Sequence, residues 1–140
     1  MAAPLSPDQS KAALAALDDE YHALATYQVV LEKFGAVRPF SNIIKAEQRH
    51  IDAVAAVLKD SGQTVPGNPY LSGEKPRPEA PATLKEACAI GVQAEIANAA
   101  LYDDQLLPVA KGNAQLVTIF TSLRDASEKN HLPAFQRCAK

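Results

Sequence analysis

Tryptophan is absent from this chain and β-branched runs are short, while alanine, leucine and glutamate are common. That composition lacks what strands are built from and reads as all-α. No apolar run approaches the roughly 20 residues that a membrane-spanning helix needs. Positive charge is not in excess either: the formal net charge is −2, which argues against nucleic acid or an anionic membrane as partner. A positively charged start followed by an apolar stretch is missing, so no signal peptide is expected. Met1-Ala2-Ala3-Pro4 also fits a processed terminus with an added Met, which leaves cytoplasm and periplasm both open. The only cysteines, Cys88 and Cys138, form no C-x-x-C pair, which excludes a cysteine-bound zinc site and a rubredoxin-type iron centre.

What the chain does contain is an ordered set of glutamates and histidines. Two of its three histidines follow a glutamate by three residues, in Glu47-Gln-Arg-His50 and Glu128-Lys-Asn-His131. Glu20 and Glu95 each lie upstream on a separate helical segment. Residues at i and i+3 are neighbours on one helix face, so a Glu-x-x-His can present both side chains to one ion. One glutamate from each of two helices, plus a Glu-x-x-His from each of two others, is the ligand set of di-iron and di-manganese carboxylate bundles. The competing reading is a set of polar residues that happen to face inward, but burying unpaired carboxylates is costly.

At 140 residues the chain is long enough for one domain with a sizeable core. Periodicity predicts four helices, over about residues 6–34, 41–61, 83–107 and 114–135. Ser6 stands as N-cap before Pro7 at the first helical position, and Gly35 ends the first helix. Its stripe runs Leu14, Leu17, Tyr21, Leu24, Gln28 and Leu31, with Glu20 on it. In the second helix Glu47 and His50 fall within the apolar face of Ile43, Ile44, Ile51, Val54 and Leu58, which marks them as ligands rather than solvated charges. The third helix turns Leu84, Cys88, Val92, Glu95, Ala99, Tyr102 and Leu106 inward and is expected to stop at Pro108. The fourth lines up Val117, Phe120, Glu128, His131 and Phe135, and Pro133 should kink it near Lys129.

Between the second and third helices, residues 62–82 hold five prolines and three glycines and read as non-helical. A bundle with one long crossover needs such a connection. A linker between two domains is rejected, because each half would be a lone helix pair with half a site.

The two halves repeat weakly. Tyr27 follows Glu20 by seven residues and Tyr102 follows Glu95 by seven. Both tyrosines therefore point the same way as their glutamates and are candidates to hydrogen-bond the carboxylates, or simply core tyrosines with satisfied hydroxyls. His22 faces elsewhere and reads as a surface residue. Arg124, one turn before Glu128, reaches either a ligand or solvent. In an antiparallel pairing that levels Glu95 with Glu128 or His131, Cys88 also comes level with Cys138. A disulfide there and two separate thiols are both open.

Four carboxylates would neutralise two divalent ions, and protons would compete with metal for them. The oxygen- and imidazole-rich set suits iron or manganese better than copper(I) or structural zinc. Glu47 and Glu128 are the expected bridges, Glu20 and Glu95 the terminal ligands, with His50 and His131 on one metal each. Such a pair suits two-electron chemistry on dioxygen or peroxide.

The whole chain resembles the ferritin-like superfamily, near its rubrerythrin and bacterioferritin core. It resembles more closely a small, functionally uncharacterised prokaryotic ferritin-like family, through Arg38-Pro39-Phe40-Ser41-Asn42-Ile43, Glu47-Gln-Arg-His50 and Asn130-His131-Leu132-x-Ala134-Phe135. The resemblance implies a ferritin-like four-helix bundle with two iron ions bound by Glu20, Glu47, His50, Glu95, Glu128 and His131. Manganese or a mixed iron–manganese pair is the alternative. It also implies oxidase, peroxidase or ferroxidase chemistry, and a homodimer. Asn98 stands where rubrerythrin-like proteins often carry an extra glutamate. No rubredoxin-type domain is present, so electrons must come from an external donor protein. The leading expectation is a di-iron oxidoreductase acting on peroxide or dioxygen. Its rivals are a ferroxidase or iron-handling protein, a manganese catalase, and a non-catalytic metal-stabilised helical module that binds a partner through Asn68-Pro69-Tyr70-Leu71.

Overall fold

The computed structural model describes residues 4–140. The reading of Met1-Ala2-Ala3 as part of a processed terminus lies outside the described residues. The fold is all-α, with five helices and no strand among the described residues. Helix α1 spans Pro7–Phe34 and α2 spans Phe40–Asp60. Helix α3 is the short Pro69–Ser72. Helix α4 covers residues 84–110, as Leu84–Leu101, a π-helical segment Tyr102–Leu106, and Leu107–Ala110. Helix α5 covers residues 114–138, as Ala114–Asp125, a π-helical segment Ala126–His131, and Leu132–Cys138.

The starts follow from capping chemistry. Ser6 Oγ accepts from the Gln9 N–H at 3.1 Å and Gln9 Oε1 accepts from the Ser6 N–H at 3.0 Å, a reciprocal pair that satisfies two otherwise orphaned donors. Thr83 and Asn113 cap α4 and α5 one way only, their side chains accepting from the Glu86 and Leu116 N–H groups at 3.1 Å. Gly35 ends α1 at φ +84°, a conformation that costs glycine little.

Both proline expectations meet a π segment. Helix α4 does not stop at Pro108: it continues to Ala110. The Leu107 N–H bonds the Tyr102 carbonyl, one residue wider than an α-helical bond, so Pro108 falls in the first turn of a fresh α segment, where its missing N–H costs little. In α5 the Leu132 N–H bonds the Ser127 carbonyl, just before Pro133. The helix is thus disturbed around Lys129, where the proline predicts it, and then runs on to Cys138 rather than ending near Phe135.

Cross-helix pairs give the topology. Tyr27 meets Phe40 and Phe135 at centroid distances of 5.7 and 5.2 Å, and Phe40 meets Phe135 at 5.0 Å. Tyr102 packs on Phe120 at 5.4 Å. Together these pairings make α1/α2 and α4/α5 antiparallel hairpins, with α1 antiparallel to α4. Helices α2 and α4 then run the same way, so the chain between them must travel back along the molecule. It does so along α1: Tyr21 Oη donates to the Pro66 carbonyl (2.6 Å), Tyr70 Oη to Asp18 (2.8 Å), and Lys33 Nζ to the Pro81 carbonyl (2.7 Å). The crossover is not wholly non-helical, since Asn68 caps Pro69–Ser72 by accepting from the Tyr70 N–H. Asn68 and Tyr70 are turned onto α1, and only Leu71 of that tetrapeptide is a large exposed apolar residue.

Cys88 and Cys138 form a disulfide that ties the start of α4 to the end of α5, with Cα atoms 5.7 Å apart. Nearby, Gly91 leaves room for the Phe135 ring: a Cβ at residue 91 would sit 2.6 Å from that ring. The core divides into two apolar clusters. One holds Leu17, Leu58, Leu116 and Phe120; the other holds Tyr27, Phe40, Cys88 and Phe135. Leu14, placed on the α1 stripe by periodicity, is 38% exposed.

Candidate metal centre

Between the two apolar clusters lies a layer of buried carboxylates and imidazoles. Helix α1 supplies Glu20, α2 supplies Glu47 and His50, α4 supplies Glu95 and α5 supplies His131. Glu20, Glu47 and Glu95 are each only 1% exposed. Such burial needs either partners or cations to offset desolvation.

The donors form two triads that share one residue. Glu20, Glu47 and His50 offer atoms within 4.8 Å of one another, and so do Glu47, Glu95 and His131. His50 Nδ1 lies 3.6 Å from Glu20 Oε2 and 3.6 Å from Glu47 Oε2. His131 Nδ1 lies 3.4 Å from Glu47 Oε1 and 3.2 Å from Glu95 Oε1. Glu47 therefore turns one oxygen to each histidine. The two imidazoles stack at 5.6 Å with 19° between their planes. Glu47 Oε2 and His50 Nδ1 are buried with no hydrogen-bond partner. At 3.6 Å they are beyond a good hydrogen bond, and orphaned donor atoms of this kind are what a cation would satisfy. Among the described residues, then, each triad could hold a metal ion.

Glu128 is the exception to the expected six ligands. Its side chain is 45% exposed and pairs with Arg124 Nη1 at 2.7 Å, outside both triads. Arg124 also holds Asp103 and Asp125, so it anchors Glu128 in a surface ion-pair network. The physical reason lies in the π segment Ala126–His131. A five-residue rung has more residues per turn than an α-helix, so positions three apart no longer share a face. His131 turns inward and Glu128 turns out. The Glu-x-x-His rule holds on α2, where the helix is regular, and fails on α5.

Tyr27 Oη donates to Glu95 Oε1 and Tyr102 Oη donates to Glu20 Oε1, both at 2.8 Å. The tyrosines thus reach the carboxylates, but crosswise: each holds the glutamate of the other half. Three further residues join the layer. Asn98 Nδ2 donates to Asp19 and, at 3.5 Å, to Glu20 Oε1, while Asn98 Oδ1 accepts from Ser127 Oγ. Asn98 occupies the position noted for its missing glutamate. Asp19 and Ser127 were not singled out by sequence, and their only local signal is adjacency to Glu20 and Glu128. His22 is exposed and meets Tyr70 edge-on.

Burial and then the neighbouring Glu47 push the Glu20 carboxyl up to about 8. Burial opposes protonation of His50, but the carboxylates of Glu20 and Glu47 outweigh it and raise the ring to about 10. His131 is raised to about 9 by Glu47 and Glu95, again against burial. Burial likewise works to raise Glu47, yet the polar groups of Glu20, His131 and His50 beside it hold its carboxyl below the ordinary value. Burial and adjacent carboxylates keep both tyrosine hydroxyls protonated well above their usual range. Without metal, the layer is compensated by protons held on Glu20 and on its two histidines.

No protein-family model matches the chain, and no curated protein or solved structure does either.

Proposed function

We propose that this chain is a ferritin-like four-helix bundle housing a dinuclear metal centre. We further propose that it works as a di-iron carboxylate oxidoreductase on peroxide or dioxygen, supplied with electrons by a separate protein. The observation that carries the reading is the pair of buried triads joined through Glu47, with Glu47 Oε2 and His50 Nδ1 lacking any other partner. In this reading Glu20 with His50 and Glu95 with His131 would hold one ion each, with Glu47 within reach of both groups. The hard oxygen and imidazole donors favour iron or manganese, and iron bound there would supply two-electron redox chemistry.

The protein's own contribution is orientation and insulation. Tyr27 and Tyr102 fix the rotamers of Glu95 and Glu20 by donating to them, and their raised hydroxyls keep those protons near neutral pH. The apolar clusters on either side shield the layer along the bundle, leaving only its His50–His131 side facing a cavity. With Glu128 outside, only three carboxylates would face two divalent ions, so a loaded site would keep a net positive charge.

Metal content per chain, by elemental analysis of protein grown with iron and manganese both available, is the test. Two ions per chain supports the centre. A well-folded metal-free protein that also refuses Fe(II) overturns it. For the chemistry, rapid oxidation of Fe(II)-loaded protein by stoichiometric peroxide is expected, and inertness would refute it. The exposure of Glu128 favours one second reading, a metal-stabilised module without turnover. There, Glu47→Ala lowers stability while peroxide consumption is absent even in the parent.

A further inference from the structure

A cavity of about 690 Å³ opens beside the triads, between α2 and α5. It is lined by the buried His131 and half-buried His50 and by Arg38, Arg49 and Arg137. All three arginines are exposed, and none is paired with a carboxylate among the described residues. The chain's other two arginines are committed elsewhere, Arg77 to Glu32 and Arg124 to Asp103, Asp125 and Glu128. No acidic residue lines the cavity, although acidic residues outnumber basic ones in the chain as a whole.

The groove exists because small residues face it. Ala46 on α2 and Ala126 and Ala134 on α5 line it. Helical spacing brings Asn42, Ala46 and Arg49 to one face of α2, and Asn130, Ala134 and Arg137 to one face of α5. The volume lies within the range of small-molecule sites. Guanidinium groups present planar forks of donors that match carboxylate and phosphate oxygens. Several unpaired cations lining one groove also concentrate anions there.

We infer that this groove binds a small organic oxyanion, a carboxylate or phosphate ester, clamped by Arg38, Arg49 and Arg137 with its other end toward His50 and His131. The clamp uses groups that no metal ligation requires, so it stands on the groove and the arginines alone. It rests on the proposed function only for what it adds there: the class of molecule that reaches the metal centre is anionic.

The test is calorimetric titration of the metal-free protein at low ionic strength, with citrate and separately with inorganic phosphate. One saturable site per chain is expected for at least one of them. Preference for citrate assigns the carboxylate class, and preference for phosphate the phosphate-ester class. Replacing the clamp (R38Q/R49Q/R137Q) should weaken binding by at least about tenfold, because charge-assisted bonds are lost. Replacing three exposed lysines outside the groove (K59Q/K85Q/K111Q) removes the same charge and should change it little. Ala46→Leu keeps every charge but fills the groove, and should also abolish binding. Absence of saturable binding by either anion overturns the proposal, and so does equal weakening in the arginine and lysine variants. Because the titration contains no metal, a failure of metal uptake leaves its outcome untouched.

Discussion

Loading the candidate centre with divalent metal should expel about three protons per chain near neutral pH. They are held by Glu20, raised to about 8, His131, raised to about 9, and His50, raised to about 10. Metal binds the deprotonated donors, so each of these protons must leave. The overall constant for binding two ions should then climb about a thousandfold per pH unit between about pH 6 and 7.5, or about 4 kcal/mol per unit. Above about pH 8 the slope should fall toward two protons, because Glu20 ionises unaided. Chelator competition with Mn(II) at several pH values measures the slope, and calorimetry in two buffers of different ionisation enthalpy counts the protons directly. The metal-free protein should show the opposite trend. Stabilisation from protonated His50 and His131 is complete below about 6.5 and is lost as the pH rises through 9 to 10. That from neutral Glu20 is complete below about 4.5 and is lost through about 8. Glu47 alone runs the other way, its contribution being present above 4.5 and lost as the pH falls through its lowered value. The melting-temperature gain on adding metal should therefore widen from pH 5.5 to 8. A slope under about one proton, or a gain that shrinks with pH, would refute the assignment of these groups as displaced ligands.

Further predictions follow from single residues. Glu128→Ala should leave metal content unchanged and shift stability by no more than about 0.5 kcal/mol, since it removes an exposed ion pair; Glu95→Ala should lose metal at one triad, as elemental analysis would read. Gly91→Ala should destabilise by about 1–3 kcal/mol in denaturant unfolding, because the new Cβ meets the Phe135 ring at 2.6 Å. Reducing the Cys88–Cys138 disulfide, which closes a sequence separation of 50, should cost about 4 kcal/mol by loop entropy. For a chain of 140 residues that lowers the melting temperature by roughly 12–15 °C in calorimetry.

Much of the architecture is carried by local chemistry. Ser6 with Pro7, Thr83 and Asn113 mark helix starts because capping involves residues three apart in the chain. Glu47 and His50 are legible as a pair because α2 is regular between them. The crossover is legible from its prolines, although Asn68 and Pro69 together nucleate a short helix that proline counting alone denies. Pro133 signals a disturbance near Lys129, but not which side chains that disturbance turns outward.

By itself, then, the sequence determined the all-α class, the positions of the long helices, and the five buried donors Glu20, Glu47, His50, Glu95 and His131, because periodicity and capping act within a few residues. Tertiary structure decided the rest. It turned Glu128 out onto Arg124 while His131 kept its inward place, since the π segment's rotation takes effect only relative to the helices packed around it. It crossed Tyr27 to Glu95 and Tyr102 to Glu20, a choice set by how two helix pairs face each other. It also left an arginine-lined groove beside the histidines, because Ala46, Ala126 and Ala134, far apart in the chain, face one another across α2 and α5. Pairings of that kind depend on distances across the fold, which no local spacing encodes.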